Sequence, residues 1–65
     1  MKTKELKNLA KKIAKAELIR SNSEDPEEIK NAENEIIKLS GKISGIEEML
    51  LLDDFVQDYI QEYNK

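Results

Sequence analysis

The sequence contains no cysteine and no histidine among its 65 residues. Disulfide bonds, thiolate nucleophiles and ordinary zinc sites are therefore excluded. A chain of this length buries only about 60% of the surface that it exposes when unfolded, so we expect one domain with a thin core. Without a disulfide or a metal, such a domain needs tight helix packing or a partner subunit. We favour oligomerisation.

Long hydrophobic segments are also missing. The longest run is Met49–Leu52, whereas a membrane span needs about 20 apolar residues. The first residues include lysines but no continuous apolar segment of the signal-peptide type. We therefore expect a soluble, cytoplasmic protein with no membrane partner. Ten lysines against one arginine, with many isoleucines and asparagines, indicate AT-rich coding, as in a phage, a plasmid or a low-GC bacterium.

Charge is divided unevenly along this small acidic protein. The net charge is −3 at pH 7, but residues 1–20 have a net charge of +5 and residues 21–65 have −8. This division predicts either two surfaces that attract different partners or two segments that attract each other.

The apolar pattern predicts an all-α fold. Leu6, Leu9, Ile13 and Ala16 follow helical spacing, and good helix formers fill the rest of residues 3–20. A second helix is predicted to begin after Asp25, a natural N-cap. Pro26 suits the first helical position, and Glu28 completes a capping-box pattern.

The region after residue 40 allows two interpretations. Apolar residues continue at three–four spacing from Ile29 to Leu50, which favours one long helix. Gly41 and Gly45 interrupt this segment, and Ser44 with Glu47 forms a second capping-box pattern. A helix over residues 3–20 is about 27 Å long. An antiparallel second helix that starts at residue 26 therefore runs beside the first helix only until about residue 43. We predict a helical hairpin extended to three helices, at about 3–20, 26–40 and 45–63, with a continuous, kinked second helix as the alternative.

The last segment has an apolar stripe one residue out of step with the preceding series. We predict that this stripe either completes the core or a self-interface, or docks into a partner protein. The predicted partner-binding residues are Leu52, Phe55, Val56, Tyr59, Ile60 and Tyr63, with Asp54 and Asp58 as charges at the rim.

A row of lysines gives the competing hypothesis. Lys4, Lys7, Lys11 and Lys15 lie on one face of the first helix, where they could bind the phosphates of RNA or DNA. No aromatic residue interleaves with them to stack on bases, and the remaining chain is acidic. We therefore rank nucleic acid below protein as a partner.

Catalytic motifs are absent. The candidate nucleophiles are serines at predicted helix ends, where capping explains them, and no phosphate-binding glycine motif occurs. Asp53, Asp54 and Asp58 lack the spacing of a calcium-binding loop. We expect no enzyme activity, cofactor, metal or small-molecule substrate.

These observations favour a small, non-enzymatic helical interaction module, acting as an accessory subunit or as a regulator or inhibitor of a larger assembly. The alternatives are a nucleic-acid-associated hairpin dimer that uses the lysine row, and a self-assembling phage or virion component.

Overall fold

The computed structural model describes residues 2–63 and contains three α-helices in that range: α1 (Thr3–Asn22), α2 (Pro26–Ser40) and α3 (Ile46–Tyr63). The predicted all-α, three-helix arrangement is confirmed. The first helix ends two residues later than predicted, and the last begins one residue later. The Cα atoms span 34 × 27 × 16 Å.

Helix α1 lies at the centre of the packing. It contacts both α2 and α3, whereas in the described part of the chain α2 and α3 contact each other far less. Leu6, Leu9 and Ile13 are buried on α1 at the predicted spacing, and Ala10 is 0% exposed. Because alanine has almost no side chain, α1 can be approached closely by a neighbouring helix at this point.

The start of α2 follows the predicted capping, with one difference. The Asp25 side chain accepts a hydrogen bond from the Glu27 N–H at 3.0 Å, and Pro26 is the first helical residue. In a capping box the Glu28 side chain would accept the Asp25 N–H, but here the hydroxyl of Ser23 accepts it at 3.2 Å. That hydroxyl donates to the Glu28 carboxylate at 3.2 Å. Ser23, which is closer to Asp25 in the sequence than Glu28 is, thus links Asp25 to Glu28.

A tight turn separates α2 from α3, so the continuous second helix does not form. The Lys42 N–H bonds to the Leu39 carbonyl and the Ile43 N–H to the Ser40 carbonyl, each at 3.2 Å. These shorter-range bonds tighten the end of α2 and place Ile43, 6% exposed, in the core. Helix α3 then begins with the Gly45 carbonyl, which accepts the Met49 N–H at 3.0 Å. Gly45, rather than Ser44, therefore occupies its N-cap position.

Helix α3 returns along α1 in the same direction. Tyr63, at its end, lines a cleft together with Ile19 and Asn22 at the end of α1. Leu52 and Val56 are 4% and 5% exposed and belong to the same core as Leu39 and Ile43. The three helices thus share one core, built on α1 and open between α2 and α3.

Candidate docking groove between α2 and α3

Large apolar side chains are exposed mainly where α2 ends and α3 begins. Five of the seven that the described residues contain lie between positions 37 and 51. Their exposed fractions are 70% for Ile37, 79% for Ile46, 47% for Met49, 64% for Leu50 and 50% for Leu51. Burying such side chains is favourable, so their concentration at one end marks a candidate interaction surface.

A groove of about 390 Å³ runs between α2 and α3. It exists because these two helices pack on α1 but scarcely on each other. Helix α1 contributes Ile13 and Glu17, and α2 contributes Ile36 and Ser40. The wall formed by α3 consists of Ile46, Met49, Leu50, Leu52, Asp53, Val56 and Gln57. We call this set of residues the α2–α3 groove.

The groove has an acidic border. Asp53 is exposed and lines it, and Asp53 has no basic partner among residues 2–63. Glu17 also lines it and accepts a hydrogen bond from the Arg20 guanidinium at 3.1 Å. No lysine or arginine occurs among the lining residues. Helix α3 contains six acidic residues and no basic one, and of these six Asp53 lines the groove.

Most of the predicted partner-binding stripe packs within the chain itself. Leu52 and Val56 are buried, and Phe55, Tyr59 and Ile60 are partly buried against the core. These positions suit the interpretation in which the stripe completes the core. Leu52 and Val56 also form part of the groove wall.

The other three predicted partner-binding residues are exposed. Tyr63 is 72% exposed and lines a separate cleft with residues of α1 and α2. Asp54 and Asp58 are exposed on α3, but neither lines the groove.

Sequence reasoning missed Ile46, Met49 and Leu50 as candidate binding residues. The apolar pattern assigned Ile46 and Leu50 to the series of the second helix. In the structure the turn at residues 41–45 interrupts this series after Ile43. After this turn Ile46 and Leu50 lie about one quarter to one half of a helical circumference from the buried Leu52 and Val56, so Ile46 and Leu50 remain exposed. The one-residue offset between the two apolar series was the signal that pointed to them.

All four residues of the lysine row, Lys4, Lys7, Lys11 and Lys15, are exposed on α1. The Lys7 ammonium lies 5.6 Å from the centre of the Phe55 ring, within the range of a cation–π contact. Within residues 2–63, none of the four is ion-paired with an acidic side chain. None lines the α2–α3 groove, so the two candidate surfaces are separate.

Two further features bear on the range of possible sites. In the described part of the chain, no three or more carboxylates come together as a possible metal site. No helix in that part is both long and apolar enough to cross a membrane.

Comparison of the sequence and structure with models of protein families, with curated proteins and with solved structures returned no match.

Proposed function

We propose that this chain is a small, non-enzymatic interaction module that binds an apolar segment of a partner protein in the α2–α3 groove. It would serve as an accessory subunit or regulator of a larger assembly. The observation that carries this proposal is the exposure of Met49 and Leu50, at 47% and 64%, on the wall of an open groove.

The shape of the groove favours a helical ligand. Its α3 wall extends from Ile46 to Gln57, about 17 Å along a helix, or three turns. An amphipathic helix can insert apolar side chains at three–four spacing into a groove of this length. Such a ligand would bury Leu50 and Met49 and would supply the packing that α2 and α3 do not give each other.

A display library of helical peptides tests this proposal. Apolar residues are fixed at three–four spacing, all other positions are randomised, and the library is panned against the full chain. We expect the enriched peptides to lose binding to the variant Leu50→Lys, because a charge then stands in the groove. The matched control is Leu51→Lys, which alters a neighbouring side chain of similar exposure that does not line the groove.

Both variants change exposed positions, and circular dichroism verifies that each remains folded. Enriched peptides that bind the two variants equally well would place the binding surface elsewhere. A library that yields no enriched peptide would contradict the proposal as well.

The lysine row is the second candidate surface, favoured by the exposure of its four ammonium groups and their lack of acidic partners within residues 2–63. If the chain binds nucleic acid there, Lys7→Glu combined with Lys11→Glu should abolish binding to a labelled single-stranded RNA or a DNA duplex. The affinity of the unmodified chain should also fall steeply with salt. Binding that both changes leave intact would exclude this surface.

A further inference from the structure

We infer that the occupant of the α2–α3 groove is a basic amphipathic helix of another protein, about three turns long, with lysine or arginine residues beside its apolar stripe. This inference rests on the proposed function and specifies the chemistry of the partner. It is carried by the charge of the groove border together with the apolar character of its walls.

The acidic charges are placed next to the exposed apolar residues. On α3, Leu50 has Glu47 three residues before it and Asp53 and Asp54 three and four residues after it. Residues at these spacings are neighbours on a helix surface. A ligand side chain that packs on Leu50 therefore lies among carboxylates, and flanking ammonium or guanidinium groups on the ligand would reach them.

The α2 wall, Ile36 and Ser40, contains no basic residue. On α2, the exposed Glu33 precedes Ile36 by three residues and thus lies one turn away on the same side of the helix. At the floor, Glu17 lines the groove, where Arg20 partly neutralises it. Asp53 has no such partner among the described residues. A basic ligand would therefore be attracted by Asp53 on the α3 wall and by Glu17 at the floor, whereas an acidic ligand would be repelled by them.

The same charges disfavour a second copy of this chain as the occupant. In a two-fold symmetric dimer the same patch of each copy faces the other. Contact through this groove would then bring two α3 helices, each with six acidic residues and no basic one, close together. The basic helix of a second copy, α1, uses its own apolar residues Leu6, Leu9 and Ile13 in the core, so it has no apolar stripe left to insert.

Two synthetic peptides test the inference. Both have about 14 residues, enough for the length of the groove, and both have leucines at three–four spacing. One has lysines beside the leucine stripe, and the other has glutamates at the same positions. We expect fluorescence anisotropy to show that the lysine peptide binds the full chain at least about tenfold more tightly at low salt. The difference should shrink as NaCl rises from about 0.05 M to about 0.5 M.

A pair of charge reversals locates the effect. Asp53→Lys changes an acid that lines the groove, and Asp58→Lys changes an exposed acid on the same helix that does not. The two variants have the same net charge. We expect Asp53→Lys to weaken binding of the lysine peptide about five- to tenfold and to strengthen binding of the glutamate peptide, because close opposite charges attract and like charges repel. Asp58→Lys should change either affinity by less than about twofold.

Three results would overturn the inference. The first is equal binding of the two peptides, and the second is an equal effect of the two charge reversals, which would indicate diffuse attraction to an acidic protein. The third is a dimer of the full chain in light scattering that Leu50→Lys dissociates, which would identify a second copy as the occupant.

Failure of this inference can be told apart from failure of the proposed function. Library peptides that require Leu50 but have neutral or acidic randomised positions would retain the groove as the binding surface and reject a basic ligand. Peptides that do not require Leu50 would reject the groove itself.

Discussion

Leu50 and Leu52 are two residues apart on α3 and have opposite environments. Leu52 is 4% exposed in the core, whereas Leu50 is 64% exposed on the groove wall. The two side chains point about 160° apart around the helix, because each residue of an α-helix advances by about 100°. Position around the helix thus divides the residues that stabilise the fold from those available to a partner.

We predict that Leu52→Ala lowers the free energy of unfolding by about 2–5 kcal/mol, since it removes buried methyl groups and leaves a cavity. Leu50→Ala should change it by less than about 0.5 kcal/mol. Urea denaturation followed by circular dichroism measures both values. Equal losses for the two variants would mean that Leu50 is also buried, for instance in an oligomer.

The N-cap of α2 gives a second prediction at this scale. Asp25→Ala removes the acceptor of the Glu27 N–H, and we expect the free energy of unfolding to fall by about 1 kcal/mol. Glu24→Ala, at an exposed neighbour outside this hydrogen-bond set, is the control and should have little effect. The same urea titration compares the two variants, and equal stabilities would show that the cap contributes nothing.

At the scale of the helices, the turn between α2 and α3 decides which apolar residues face the core. Up to Ile43 the series that starts at Ile29 follows the buried side of α2. Beyond the turn its next member, Ile46, is 79% exposed. The turn needs no left-handed glycine conformation, since Gly41 has φ −66° and ψ −12°.

This geometry leads to different predictions for the effect of alanine at Gly41 and at Gly45 on the free energy of unfolding. Gly41→Ala should raise the free energy of unfolding by about 0.4–1 kcal/mol, because alanine restricts the unfolded chain and its Cβ would lie 3.4 Å from the Ile37 carbonyl oxygen, an ordinary contact. Gly45→Ala should not stabilise the protein, since alanine is a poor N-cap residue. Urea denaturation measures both effects.

Light scattering and circular dichroism complete this experiment. A rise in both helicity and molar mass for Gly41→Ala would contradict the prediction. It would indicate that α2 and α3 had merged into the continuous helix that the apolar pattern also allowed.

Much of the helical architecture could be predicted from the sequence, for local reasons. Asp25 and Pro26 specify the start of α2 through short-range hydrogen bonding and backbone restriction, and the spacing of Leu6, Leu9 and Ile13 specifies the buried face of α1. The groove could not be predicted in this way. It depends on the weak contact between α2 and α3, which arises from how each of them packs on α1. The apolar spacing alone therefore suggested Leu52 and Val56 as partner-binding residues, whereas in the structure their side chains lie in the core.

For the whole molecule, the separation of charge along the sequence becomes a separation of surfaces. The exposed lysines of α1 lie outside the α2–α3 groove, whereas Asp53 and Glu17 line it. The net charge of −3 therefore understates how negative the groove border is. Association of the chain with itself through this groove is opposed by repulsion between like charges.

We accordingly predict that the full chain is a monomer at micromolar concentrations, in contrast to the oligomer that we expect from its length and its lack of disulfides. Light scattering at low and high salt measures the molar mass. A monomer under both conditions is expected. A dimer that forms at low salt and dissociates in Lys7→Glu would instead show that the lysines of one copy bind the acids of another.

The most direct measurement of where the protein binds is a nuclear magnetic resonance titration of the full, isotope-labelled chain with the lysine peptide. We predict that amide signals shift progressively for groove residues on both walls, including Ile36, Ser40, Leu50 and Asp53. Signals of Leu51 and Asp58, on the outer side of α3, should shift far less. Shifts concentrated at Lys4, Lys7, Lys11 and Lys15, or spread evenly over α3, would contradict the assignment of the α2–α3 groove as the binding surface.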